Sequence, residues 1–367
     1  MAISRRKFLK VSAGGAAVLG VNLFDNPLLS KAFASAIQET PVIWLAAGAC
    51  SGCSVALLNA LSPRIQDVLL DQVLPGHHIS LAFHPTIMAA SGDLAMQAMY
   101  DTEEKPFILV VEGSVTTADG GRHTEVGEKD GHGITALEHV ERLGRKAKVV
   151  IAIGSCAAYG GIPKANMNPT GSKGVMEVFK EKGISTPTIN LPGCATHPDW
   201  FIATVASVLL GGPESIKLDA DGRPEMFYKK LIHDHCPLRG QFDKGVFAQK
   251  FGDAGCLYKL GCKGPVARAN CPEKKFNSGV NWCIDNGHPC IGCVEPAFPY
   301  EQSMWGIVPI ADGAPPATYP PIFTDEKKPL SVTPAYAALA GAAAGVVGLR
   351  TLNKKKSSAQ PDHHGEG

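Results

Sequence analysis

The stretch NWCIDNGHPCIGC, residues 281–293, places Cys283, Cys290 and Cys293 within eleven positions. Thiols at this density serve disulfides, a structural zinc or iron–sulfur ligation. The whole chain holds eleven cysteines, and an odd number fits disulfide pairing poorly. Four of them are scattered: Cys50 and Cys53 in GACSGC, Cys156 in GSC and Cys194 in LPGC. The remaining seven, Cys236, Cys256, Cys262, Cys271, Cys283, Cys290 and Cys293, crowd into HDHCPLRG, GCLYKLGCKGP, NCP and NWCIDNGHPCIGC. Structural zinc favours two paired knuckles, whereas the scattered group has one pair and two singles, so iron–sulfur is the better expectation. For the crowded group, two four-ligand clusters need one ligand more than the cysteines supply. His233, three residues before Cys236, supplies it, because imidazole also ligates iron. His235 is the alternative, at a less accommodating spacing. With His233, every cysteine finds a place in three four-ligand sites.

Such ligands need elements to hold them. From residue 42 onward short β-rich runs alternate with helical stretches. The pattern predicts strands at 42–46, 79–83, 107–111, 149–153 and 188–191. Helices are expected between them, for example at 54–61, 92–100, 134–143 and 175–182. That alternation implies an α/β fold with a flavodoxin-like, doubly wound parallel sheet. Ligands of such sheets bind beyond the carboxyl ends of the strands. The first, fourth and fifth strands run directly into GACSGC, GSC and LPGC, so four thiols should converge on one rim. Glycine beside each lets the backbone approach a bulky cluster and donate N–H bonds to sulfur. From His233 to Cys293 the periodicity fades, as expected of a small domain organised around inorganic cores.

With 367 residues the chain can form two modest domains plus appendages. A net charge of +1 with 19% charged residues gives no electrostatic bias toward nucleic acid. At the N-terminus, SRRKFLK with Arg5 and Arg6 is a twin-arginine signal pattern, followed by a weakly apolar run at 11–23. Small-residue cleavage sites follow at Ala32-Phe33-Ala34 and Ala34-Ser35-Ala36. That export route carries folded proteins, so an exported chain of this kind need not rely on disulfides. Residues 330–349 form a run of twenty without a charge, closed by Arg350 and then Lys354, Lys355 and Lys356. As a helix it spans roughly 30 Å, the hydrocarbon thickness, with the lysines on the cytoplasmic side. The run is rich in Ala and Gly, which leaves a soluble or interfacial helix as the other reading. A Pro-rich linker precedes it.

In this order, the twin-arginine signal, CSGCS, EGSV, GSCAAYGG, LPGCATHPDW, HDHCPLRG, GCLYKLGCKGP, NWCIDNGHPCIGC and the C-terminal anchor are very specific. The chain resembles the small, electron-transfer subunit of a nickel–iron hydrogenase over essentially its full length. The resemblance implies a proximal 4Fe–4S cluster on Cys50, Cys53, Cys156 and Cys194. It implies a distal 4Fe–4S cluster on His233, Cys236, Cys256 and Cys262, and a medial cluster on Cys271, Cys290 and Cys293. Many members have proline in the medial motif and a 3Fe–4S cluster; Cys283 stands there in this chain and should complete a 4Fe–4S cubane. Oxygen-tolerant members carry extra cysteines at places that look like Gly52 and Gly161 here, so an ordinary proximal cubane is expected.

The implied organisation is a signal peptide at 1–36, a flavodoxin-like domain at 37–225 and an iron–sulfur domain at 226–310. A linker at 311–329, a transmembrane anchor at 330–352 and a cytoplasmic tail at 353–367 follow. Hydrogen chemistry would belong to a nickel–iron large subunit, with no catalytic residue on this chain. Electrons would leave for a membrane cytochrome b or another quinone-linked acceptor. The twin-arginine translocase would be a partner during export, leaving the body in the periplasm on a single-pass inner-membrane anchor. The rivals are a cluster-carrying subunit of another complex-I-like oxidoreductase, and an exported disulfide-stabilised binding protein.

Overall fold

The computed structural model describes residues 38–310, apart from 62, 66, 68–76 and 301–302, together with Pro316. The expected signal, anchor and tail lie outside the described residues, as does the linker apart from Pro316. Among the described residues no helix is long and apolar enough to cross a membrane.

Strands β1 (Gln38–Ala46), β2 (His77–Phe83), β3 (Ile108–Glu112), β6 (Val149–Ile153) and β7 (Thr188–Leu191) form a five-stranded sheet in the order β2-β1-β3-β6-β7. Every pairing in it is parallel. With the separate antiparallel hairpin β4 (Glu125–Lys129)–β5 (His132–Thr135) set aside, this is the doubly wound order of a flavodoxin-like fold. The sequence explains the layers. ILVVE and VVIAI are buried at every position, as strands covered on both faces must be. Val42, Trp44, Ile108, Val110 and Ile151 face one apolar cluster; Ile43, Leu45, Leu109, Val111 and Val150 face the other.

Helices α2 (Gly92–Glu103), α3 (Ala136–Lys146) and α5 (Val175–Lys182) cover the second face through Met99, Val140, Leu143 and Phe179. The start of α3 is a capping box: Glu138 N–H donates to Thr135 Oγ1 at 3.1 Å, and Thr135 N–H to Glu138 Oε2 at 2.8 Å. On the first face α6 (Pro198–Gly211) packs Trp200, Phe201 and Val205 against the sheet. The same apolar cluster continues without a break into Leu257, Ile284 and the thiols of Cys236, Cys262 and Cys290.

That second half is irregular, as the lost periodicity predicts. Among its described residues the helical pieces are short turns, at Ile232–His235, Arg239–Asp243, Leu257–Leu260 and Cys271–Lys274. Elsewhere the expected bounds shift. The helix expected at 54–61 is α1 (Gly52–Leu58), and that expected at 134–143 is α3. The β4–β5 hairpin was not expected: its residues are mostly exposed and polar, and only Asp130-Gly131 marks the turn.

Candidate metal centres

The sheet brings the scattered thiols to one rim. Cys50 and Cys53 follow β1, Cys156 lies in α4 (Gly154–Tyr159) directly after β6, and Cys194 follows β7. What orients the first of these turns is a residue to which the sequence alone assigns no role. Glu112, at the end of β3, is 3% exposed. Its Oε1 accepts the backbone N–H groups of Cys53 at 3.0 Å and Ser54 at 3.1 Å, satisfying two free donors of α1. Its Oε2 accepts Trp44 Nε1–H at 2.9 Å and the Ser54 hydroxyl. The signal for it was a single acid closing an otherwise apolar strand, ILVVE. His84 reaches Ser54 Oγ at 3.3 Å, and burial pushes its pKa down to about 4 against the pull of Glu112.

Glycine is required beside these thiols. Gly154 has φ +88, and a Cβ there would sit 2.7 Å from Cys53 Sγ. Gly161 has φ +54, with a would-be Cβ 2.8 Å from the backbone and sulfur of Cys156. Burial pushes the Cys53 thiol up to about 12, with Glu112 and Cys156 adding to the rise. Cys156 is pushed to about 11, first by burial, then by Cys194, Cys50 and Glu112. Burial and then Cys50 raise Cys194. The four thiols therefore act on one another as neighbours.

In the second half, His233, Cys236, Cys256 and Cys262 line one enclosed cavity with Leu257 and Ile284. His233 is 5% exposed, its pKa lowered to about 4 by burial and by Arg239, and its Nε2 has no hydrogen-bond partner. An orphaned, neutral imidazole nitrogen facing three thiols is a donor set that suits an iron–sulfur cluster. Burial raises Cys236 to about 12 and Cys256 to about 11, each also raised by Cys262. His235 does not line that cavity; its Nδ1 lies 3.2 Å from Glu273 Oε1 near the surface.

The remaining thiols form a third group. Burial raises Cys271, with Cys293 and Cys283 adding to it. Burial pushes Cys293 to about 12, and Cys283 and Cys194 act on it as well. Cys290 is raised by burial and then by Cys262, Cys293 and Cys271. The groups thus join in a row: Cys194 of the first neighbours Cys293 of the third, and Cys290 of the third neighbours Cys262 of the second. Ser155 stitches the first junction, accepting Gly193 N–H at 3.0 Å and donating to the Cys293 carbonyl. Lys263 N–H donates to the Cys290 carbonyl at 2.6 Å across the second.

A repeated device accompanies the three groups. In Cys50-Ser51-Gly52, Cys262-Lys263-Gly264 and Cys290-Ile291-Gly292, the glycine N–H donates to the cysteine Sγ at 3.4 Å. Such bonds favour thiolate and tune a bound cluster. No three His, Cys, Asp or Glu side chains among the described residues are placed to hold a single metal ion. A tetrahedral zinc, with Zn–S near 2.3 Å, would draw sulfurs to about 3.8 Å of one another. A multi-iron core, with each thiolate on its own iron, separates them further.

Two family descriptions match the chain. NADH ubiquinone oxidoreductase, 20 Kd subunit, matches residues 50–208, and the C-terminal part of the NiFe/NiFeSe hydrogenase small subunit matches 228–305. The first covers the sheet half alone and accounts for the complex-I-like rival; the second covers the cysteine-rich half. The periplasmic [NiFeSe] hydrogenase small subunit of Desulfomicrobium baculatum is 42% identical over 83% of this chain and 98% of its own length. The quinone-reactive Ni/Fe-hydrogenase small chain of Wolinella succinogenes is 37% identical over 82% of this chain and 84% of its own. The crystal structure of the reduced, active Ni-Fe-Se hydrogenase from Desulfomicrobium baculatum superposes with a TM-score of 0.67 at 44% identity. It covers 71% of this chain and 96% of the matched one. By sequence across both halves and by fold, the chain belongs to the nickel–iron hydrogenase small subunit family, the small component of a hydrogenase.

Proposed function

We propose that this subunit holds three iron–sulfur clusters in a row and passes electrons from a nickel–iron large subunit to a quinone-linked membrane acceptor. The proximal set is Cys50, Cys53, Cys156 and Cys194; the medial set is Cys271, Cys283, Cys290 and Cys293; the distal set is His233, Cys236, Cys256 and Cys262. Bound there, the clusters would supply one-electron relay between sites too far apart for a single step. The observation that carries the reading is the order of the groups, with Cys194 against Cys293 and Cys290 against Cys262. The chain's own residues gather the thiols, supply N–H donors to sulfur from Gly52, Gly264 and Gly292, and bury Cys236, Cys256 and Cys262 from solvent.

Burial raises the Cys53, Cys156, Cys236, Cys256 and Cys293 thiols, so loading would displace their protons. The Wolinella relative is named quinone-reactive, which supports a quinone-linked acceptor such as a membrane cytochrome b. The periplasmic relative supports export, with residues 1–36 as a twin-arginine signal read by its translocase. We assign 37–225 to the sheet domain, 226–310 to the iron–sulfur domain, 311–329 to a linker, 330–352 to a single inner-membrane span and 353–367 to a cytoplasmic tail.

Iron and acid-labile sulfide analysis of the purified complex tests the ligand count: about twelve irons are expected on this subunit. Paramagnetic resonance of the oxidised protein should show no 3Fe–4S signal, and Cys283→Pro should create one. A strong 3Fe–4S signal from the intact wild type would remove Cys283 from the ligands.

A further inference from the structure

Lys263 is a lysine with no exposed surface, in the Cys-Lys-Gly turn that follows Cys262. Its Nζ donates to the carbonyls of Gly261 at 3.0 Å, Met304 at 2.9 Å and Gly306. Three acceptors match the three N–H groups of an ammonium; a neutral amine would turn a lone pair toward one of them. The Tyr300 ring lies 4.9 Å from the same nitrogen. Among the described residues no carboxylate is paired with it. A buried cation without a counter-ion is costly, so its anion must be something else nearby.

Cysteines of two thiol groups lie beside it, one in the chain and one in space. Cys262 precedes it, its own N–H binds the Cys290 carbonyl, and its Cβ lies 2.9 Å from where a Cβ on Gly292 would stand. It therefore sits at the junction of the second and third thiol groups. The first group has the opposite arrangement: the buried acid Glu112 accepts four donors and donates to none, which is how a carboxylate bonds.

We propose that Lys263 is a fixed internal cation that favours reduction of the medial and distal clusters, and that Glu112 is a fixed anion that disfavours reduction of the proximal one. This rests on the three-cluster reading above. A cluster gains one negative charge on reduction, so in a poorly screened interior a cation beside it stabilises the reduced form and an anion destabilises it. The two side chains thus tilt the row outward, away from the large subunit, independently of ligand type.

The test is a redox titration of the intact complex of large and small subunits, each cluster followed by paramagnetic resonance. Lys263→Gln keeps two donors for the carbonyls and removes the charge; Lys263→Arg keeps the charge. The medial and distal midpoints should move to more negative potential in Lys263→Gln, the proximal less, and Lys263→Arg should stay near wild type. Glu112→Gln should move the proximal midpoint to more positive potential. Equal shifts in the Gln and Arg variants, or a proximal shift as large as the others, would make Lys263 a tether for residues 304–306 and overturn the proposal. If Lys263→Gln fails to load, Glu112→Gln decides: an unmoved proximal midpoint overturns it. Absence of iron from the wild-type sites would instead defeat the three-cluster reading.

Discussion

The sheet rim and the cysteine-rich half place thiols by different means. At the rim, the parallel strands β1, β3, β6 and β7 end side by side, and the cysteines follow the ends of β1, β6 and β7 within a few residues. Glu112 fixes the turn carrying Cys53 through two backbone bonds, and Ser155 fixes the one before Cys194. In the second half Cys236 ends one 3-10 turn, Cys256 opens another and Cys271 starts a single helical turn, with no strand among them. The apolar core there is thin, and thiols are part of it. The rim should keep its shape without metal. The second half should owe its shape to what it binds.

The largest expected effect follows directly. Removing iron from the complex by chelation under reducing conditions should release amide protection across 231–293 while β3 and β6 stay protected. Hydrogen exchange read by mass spectrometry checks this, and retained protection in the second half would break the comparison. Next in size, Leu109→Ala, at a fully buried position in β3, should cost about 2–5 kcal/mol. Because Leu109 packs in the core on the sheet face away from the second half, denaturant titration should show the same loss before and after iron removal.

A smaller effect tests the rim itself. Gly161→Ala puts a side chain at φ +54 against the Cys156 backbone and should cost at least about 1–2 kcal/mol. It should also reduce iron retained at the proximal site, read by paramagnetic resonance, while the medial and distal signals persist. The smallest is a control away from every thiol: Thr135→Ala removes the capping box of α3 and should cost about 1 kcal/mol with iron content unchanged. A loss of iron in that variant would mean that general stability, not local geometry, governs loading.

The strands at 149–153 and 188–191 were legible to the residue, and that at 107–111 to within one, because short β-rich runs bounded by glycine or proline mark strands. So was the convergence of Cys50, Cys53, Cys156 and Cys194, since strand order in a doubly wound sheet dictates where carboxyl ends meet. Residue counting and spacing also singled out His233 as the twelfth ligand candidate, and the structure places it, rather than His235, in the cavity. The β4–β5 hairpin escaped, because its exposed polar residues carry no periodicity. Glu112 and Lys263 escaped as well. A charged residue reads from sequence as solvated surface; only the packing of β3 against α1, and of the 304–306 carbonyls around one ammonium, turns these two into buried charges beside thiols. The row itself was likewise a tertiary decision. Local sequence sets which atoms can ligate, whereas the order of groups along a path depends on contacts between Cys194 and Cys293, and between Cys262 and Cys290, that are distant or unpaired in any local pattern.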